Sequence, residues 1–267
     1  MAIGSESAAS VPVSVNARSQ IEQRVAAGRI PWSGPLLLVM ARSVLWLSLQ
    51  SLLALVFLAL HRPHPMQAAG QWWPIYANLG DLGCLIGLRS FTRKEGIRLR
   101  DLIGPIRMRW GRDLIVGLGL FVLIFPLFIG GSYLAQLLLY GQARAPITYL
   151  LQPHSLPLWA TVYSLTAWWV IQSPTEEMTY QGYVLPRMEA LTGRTWAAVL
   201  ICGFWFVGQH CMFPFLPDWK YLLFRFLAFL PGVLAMMLVY LRIRRLTPLI
   251  IAHWPMDIVA ALMTGVR

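Results

Sequence analysis

The chain has 267 residues, 57% of them hydrophobic and only 12% charged, and its mean hydropathy is +0.60. That charged share is about half the usual one, which excludes an ordinary soluble globule and points to an all-α, polytopic bundle of transmembrane helices. The net charge of +11 would suit a nucleic-acid binder, but the basic residues sit in loops between apolar stretches. They are read as facing anionic lipid, so the bilayer is the expected partner and nucleic acid is not.

Residues 1–31 are polar, rich in Ala, Ser and Val, and lack an apolar run. They are read as a flexible tail with a short interfacial helix near Ile21–Val25, not as a cleavable signal peptide. Residues 32–267 then form the membrane domain. A span needs about 20 apolar residues, and seven segments qualify or nearly so. The first runs over Leu36–Leu60 with Arg42 near its start, the second over Trp72–Leu88 with Asp81 inside it. A basic loop follows, then a third span over Leu114–Leu139. Residues 140–157 read as a loop containing Pro146, Pro153 and Pro157. The fourth helix is expected from Leu158 to about Glu189, the fifth over Thr195–Cys211, the sixth over Tyr221–Leu241 and the seventh over Thr247–Met263.

With the N-terminus on the cytoplasmic side, sixteen Lys and Arg fall inside and five outside. The positive-inside rule therefore favours that orientation, in a multi-pass protein of the cell membrane. Twelve tryptophans suit interfacial belts. Cys84, Cys202 and Cys211 lie in apolar stretches, and an odd number builds no disulfide framework, so they read as packing residues.

Titratable groups inside spans are costly and mark function by default. Here they are Asp81, Glu176, Glu177, His210, His253 and Asp257. Ser173-Pro174-Thr175-Glu176 fits a helix-capping pattern, which accounts for Glu176 but not for Glu177. Two adjacent carboxylates project about 100° apart on a helix, and in an apolar setting both cannot be ionised cheaply. Thr192-Gly193 reads as the turn between the fourth and fifth helices. Glu176 lies 16 residues before Thr192 and His210 lies 16 after Arg194. At 1.5 Å per residue each arm is about 24 Å long, so an antiparallel hairpin puts Glu176 and His210 at one depth. His253 and Asp257 are four apart and share a helix face, where the carboxylate can fix the imidazole tautomer. Gln181, four after Glu177, is placed to hydrogen-bond it.

These clusters resemble the CAAX-protease and bacteriocin-processing family, also called the abortive-infection family. Its E-E-x-x-x-R motif reads Glu176-Glu177-Met-Thr-Tyr-Gln181, and the similarity extends through Gly182, Pro186 and Arg187. The F-x-x-x-H motif reads Phe206-Val-Gly-Gln-His210, and the H-x-x-x-N/D motif reads His253-Trp-Pro-Met-Asp257. The similarity covers about residues 158–265. It implies an intramembrane endopeptidase without a catalytic serine or cysteine and without a required cofactor. Glu176 and His210 would activate water, His253 and Asp257 would serve the oxyanion, and Glu177 would position the site. The substrate would be a peptide or protein at the membrane, whether lipidated or not. Two positions depart from the pattern. Gln181 replaces a fixed positive charge with hydrogen bonds alone. Asp257 stands where Asn is more usual, and a negative charge there opposes an oxyanion, so Asp257 would orient His253 or itself carry a proton.

Two other readings fit the same residues. A divalent-metal-dependent membrane protease would use the Glu, His and Asp side chains as ligands, although no H-E-x-x-H pattern is present. An inactive relative would serve as a membrane scaffold or immunity partner, a reading motivated by Gln181.

Overall fold

The computed structural model describes residues 14–104, 109–142 and 156–265, with side chains through residue 262. Residues 1–13 of the expected tail, most of the expected 140–157 loop with Pro146 and Pro153, and Arg107, Arg144 and Arg267 of the charge count lie outside them. Among the described residues every regular element is helical, as the composition requires.

Helix α1 (Arg18–Ala26) covers the segment where a short interfacial helix is expected. It is not part of a flexible tail: Ile21 is fully buried, and Asn16 and Arg24 are nearly so. The long apolar run that follows forms α2 (Ser33–Ala59). A short α3 (Pro65–Gly70) leads to α4 (Trp73–Lys94), which begins on Pro74 and ends on Arg93 and Lys94. Proline suits the first turn, where backbone donors have no helical partner, and cations suit the last turn. Helix α5 (Trp110–Tyr140) has Asp113 in its first turn, and this carboxylate pairs with Arg245.

The expected fourth helix is broken into three helices and a π-helical turn. Residues Leu158–Thr166 form α6, Trp168–Glu177 form α7, Met178–Val184 widen into a π-helix, and Leu185–Thr192 form α8. Prolines at 174 and 186 bracket the wide turn, and each lacks the N–H that an α-helix needs at its position. Pro174 lies inside α7 rather than at a helix start, and no side-chain cap is present there, so the capping pattern at Ser173 is not realised. Gly193, at φ +66°, makes the turn that an L side chain would strain. After it come α9 (Thr195–Gly208), a 3₁₀ turn (Gln209–Cys211), α10 (Trp219–Ile243) and α11 (Thr247–Gly265). Asp218 caps α10 by accepting from the Tyr221 N–H at 2.7 Å.

Three of the seven expected spans are long and apolar enough to cross a membrane, namely α2, α5 and α10. Helices α9 and α11 are apolar but shorter, and α4 carries Asp81 in its middle. Large apolar side chains of α2 and α5 point outward, among them Leu55, Ile115, Leu123 and Leu138. Such a surface is unstable in water and ordinary in lipid. Helix α5 packs on α10 and α11, α2 on α4, and α7 between α4 and α11, while the π-turn lies against α2. The short helix with the paired glutamates is thus enclosed by the longer ones.

Gly80 permits the close approach of α4 to α2, since a Cβ there would fall 2.5 Å from Trp46 Cδ1. Gly80→Ala is expected to cost about 1–3 kcal/mol through overpacking. The check is thermal unfolding in detergent, and a melting temperature equal to wild type would show that the helices separate without cost.

Candidate active site

The hairpin through Gly193 brings its two arms together as the matching lengths predict. Glu176 is at the end of α7, and His210 is in the 3₁₀ turn after α9. Their nearest atoms, Glu176 Oε1 and His210 Nε2, are 3.8 Å apart. The His210 ring lies flat on Phe229, with centroids 3.8 Å apart and planes 15° from parallel. The Arg225 guanidinium covers Phe229 at 4.6 Å. Arg225 also donates to the carbonyls of His210 (2.8 Å) and Phe213 (2.7 Å), so the turn bearing His210 is anchored to α10.

The two oxygens of Glu176 have different surroundings. Oε2 accepts from Arg42 Nη2 at 3.1 Å and from Gln172 Nε2 at 3.0 Å. Oε1 faces both imidazoles, 3.8 Å from His210 Nε2 and 3.9 Å from His253 Nε2. Those gaps are too long for direct hydrogen bonds.

His253, on α11, links the second glutamate to Asp257. Its Nδ1 lies 2.9 Å from Glu177 Oε1, so a proton on Nδ1 is donated to that carboxylate. Its Nε2 lies 3.5 Å from Asp257 Oδ1. Ser173 Oγ donates to Asp257 Oδ2 at 2.6 Å and so ties α7 to α11. The five residues singled out as catalytic, Glu176, Glu177, His210, His253 and Asp257, therefore meet in one buried cluster. Phe206 stacks on Tyr180 at 4.4 Å and flanks His210, with ring centroids 6.4 Å apart.

Gln181 does not take its expected place. Among the described residues, neither of its amide atoms has a hydrogen-bond partner, and neither does Glu177 Oε2. The Glu177 carboxylate turns instead to His253, which offers an N–H from across the helix interface. Arg187 is also absent from the site. It is fully buried and forms a fork with Glu95 at 2.9 and 2.7 Å.

The positive charge at the site comes from Arg42 on α2. Its side chain is fully inaccessible and pairs with Asp81 Oδ1 at 2.6 Å, so Asp81 is the partner of Arg42. Arg42 Nε donates to Gln209 Oε1 at 2.8 Å, and its guanidinium lies over the Trp46 ring at 4.5 Å. Sequence reasoning missed Arg42, Gln172, Ser173 and Gln209. For Arg42 a signal exists: an Arg inside one apolar span and an Asp inside the next invite pairing.

A cavity of about 920 Å³, counted with its open mouth, reaches Glu176, His210, His253 and Asp257. Its walls are mostly apolar, with Trp73, Trp168, Phe206 and Phe229 among the aromatic ones. Such a space admits an extended apolar segment and offers few polar groups besides the titratable ones. Among the described residues, no three His, Cys, Asp or Glu side chains converge as a metal-holding set.

Residues 157–259 match the family described as type II CAAX prenyl endopeptidase, Rce1-like. The resemblance carried by the three motifs is thereby borne out, over nearly the same segment. No curated protein and no solved structure matches the chain.

Proposed function

We propose that the chain, whose residues 157–259 match the Rce1-like type II CAAX prenyl endopeptidase family, hydrolyses a peptide bond within the cell membrane through a water activated by Glu176 and His210. The observation that carries this reading is the free oxygen of Glu176. Oε2 is bound by Arg42 and Gln172, while Oε1 is turned toward His210 and the cavity.

In the proposed reaction, Glu176 Oε1 takes a proton from water held between it and His210 Nε2. The resulting hydroxide attacks the peptide carbonyl carbon. His253 Nε2–H donates to the developing oxyanion, with the ring oriented by Glu177 at Nδ1 and by Asp257. The C–N bond then breaks, and the proton on Glu176 passes to the leaving amine. The substrate is a protein segment, lipidated or not, that reaches the apolar cavity from the bilayer. The excess of basic loops supports a cytoplasmic N-terminus for this multi-pass protein.

The test is cleavage of a peptide library, including prenylated and unmodified members, by purified protein in detergent. Glu176→Gln is expected to lower the rate about 10³-fold, within the range for loss of a general base, with normal insertion. Chelation is expected to leave the wild-type rate unchanged. Loss of activity on chelation, restored by a divalent metal, would favour the metal-dependent protease, for which these carboxylates and imidazoles would be the ligands. Wild-type cleavage by Glu176→Gln would remove the proposed base. A stable membrane scaffold would tolerate the same substitution without any phenotype.

A further inference from the structure

We propose that Arg42 is the positioning residue of the Glu176–His210 pair, its guanidinium fixing which oxygen of Glu176 faces the histidines and tying that carboxylate to the turn that carries His210. The inference rests on the peptidase reading and adds to it a residue from outside the 157–259 segment.

The guanidinium of Arg42 reaches three side chains from three other elements. Nη2 donates to Glu176 Oε2 at 3.1 Å, Nε donates to Gln209 Oε1 at 2.8 Å, and Nη1 lies 2.6 Å from Asp81 Oδ1 as an ion pair without hydrogen-bond alignment. Gln209 is the residue before His210. One rigid, planar group therefore contacts the end of α7 and the 3₁₀ turn at once and sets the separation between the two arms. A freely rotating carboxylate would present either oxygen to the cavity. This one cannot, because turning Oε2 outward breaks the bonds to Arg42 and Gln172.

Arg42 is itself held against rotation. Asp81 faces one edge of the fork, and Trp46, one helical turn along, supports its face. Trp46 is fixed in turn by donating to the Ala77 carbonyl at 3.1 Å and by stacking on Phe213 at 4.2 Å. A lysine could supply the charge but could not serve Glu176 and Gln209 from one rigid plane while facing Asp81. The opposing interpretation is a buried pair, Arg42 with Asp81, that only joins α2 to α4.

Removing both members of the pair separates the two. Breaking a buried ion pair on one side is costly, while replacing it whole is close to neutral. Arg42→Gln alone is therefore expected to lower the melting temperature, and the double variant Arg42→Gln, Asp81→Asn is expected to recover it. A merely joining pair would recover activity together with stability. A positioning Arg42 predicts a stable double variant whose kcat stays about 100-fold low, the cost of a misplaced group, with KM within about threefold of wild type. Arg42→Lys, which keeps the charge that Asp81 needs, is expected to melt as wild type does and to show the same loss of kcat. Wild-type kcat in either stable variant overturns the proposal. Glu176→Gln measured in parallel keeps the two ideas apart. If it too cleaves normally, the peptidase reading has failed and Arg42 has no reaction to serve. If it is inactive while the double variant is active, only the role of Arg42 has failed.

Discussion

His210→Ala is expected to lower kcat about 10³-fold while changing the melting temperature by only a few degrees. The rate term is that of a lost proton-transfer partner. The stability term is small because the ring's side-chain contacts are stacking ones, close on Phe229 and distant on Phe206, the close one worth about 0.5–1.5 kcal/mol. At this chain length each kcal/mol moves the midpoint by roughly 2–4 °C. Distance alone does not single out this histidine, since Glu176 Oε1 lies 3.8 Å from His210 and 3.9 Å from His253. Their other contacts differ. His253 is committed through Nδ1 to Glu177 and faces Asp257 with Nε2. His210 rests on an aromatic plate at the cavity wall. His253→Ala should therefore lose activity and stability together, because it leaves Glu177 buried without the hydrogen-bond donor that His253 supplies. The comparison is made by steady-state cleavage and thermal unfolding of both variants in one detergent. If His210→Ala retained a third or more of wild-type kcat while His253→Ala retained none, the water would belong to Glu176 and His253.

What the sequence revealed and what it hid follow from the range of the forces involved. The hairpin arms were legible because equal arm lengths put Glu176 and His210 near one level, and the π-turn in one arm and the 3₁₀ turn ending the other do not separate them. The i,i+4 pair His253–Asp257 was legible from helical periodicity. The local hydrogen bonds were less so. Gln181 has the right spacing for Glu177, yet the carboxylate is turned away by His253, 76 residues further along. Ser173 resembles a helix cap, yet its hydroxyl spans to Asp257 on α11. In both cases a partner on another helix outcompetes the one nearby, and no periodicity records that. Arg42 was visible as a charge in an apolar span, but its partners Asp81, Glu176 and Gln209 come from three other elements. The cation expected at position 181 is absent, and Glu176 is paired with Arg42 from α2. The expected continuous fourth helix fails for a backbone reason, because two prolines twelve residues apart leave a segment that settles as a π-turn.

Glu95→Gln is expected to produce the largest loss of stability, about 3–5 kcal/mol, the cost of leaving buried charge without its partner. Glu95 is 1% exposed and accepts both arms of the Arg187 fork. It also lies 3.3 Å from Arg24 Nε on α1. Removing its charge strands two guanidiniums in one site. Arg24 already feels that environment: burial lowers its pKa from the ordinary guanidinium value, the neighbouring Arg187 lowers it further, and Glu95 opposes both. Arg187 also donates to Asn16 Oδ1 and to the Gly182 carbonyl, each at 3.0 Å, and its face covers Tyr183 at 4.3 Å. The same carboxylate thus docks α1 and steadies the π-turn that follows Glu176 and Glu177. Two readouts should move together in Glu95→Gln. The melting midpoint should fall by about 10 °C, at the roughly 2–4 °C per kcal/mol expected for this size. Trypsin, which cuts after Arg, should cleave at Arg24 well below that midpoint once α1 is released. An unchanged midpoint with a protected Arg24 would mean that water reaches the cluster and that α1 is held by Ile21 and its apolar contacts alone.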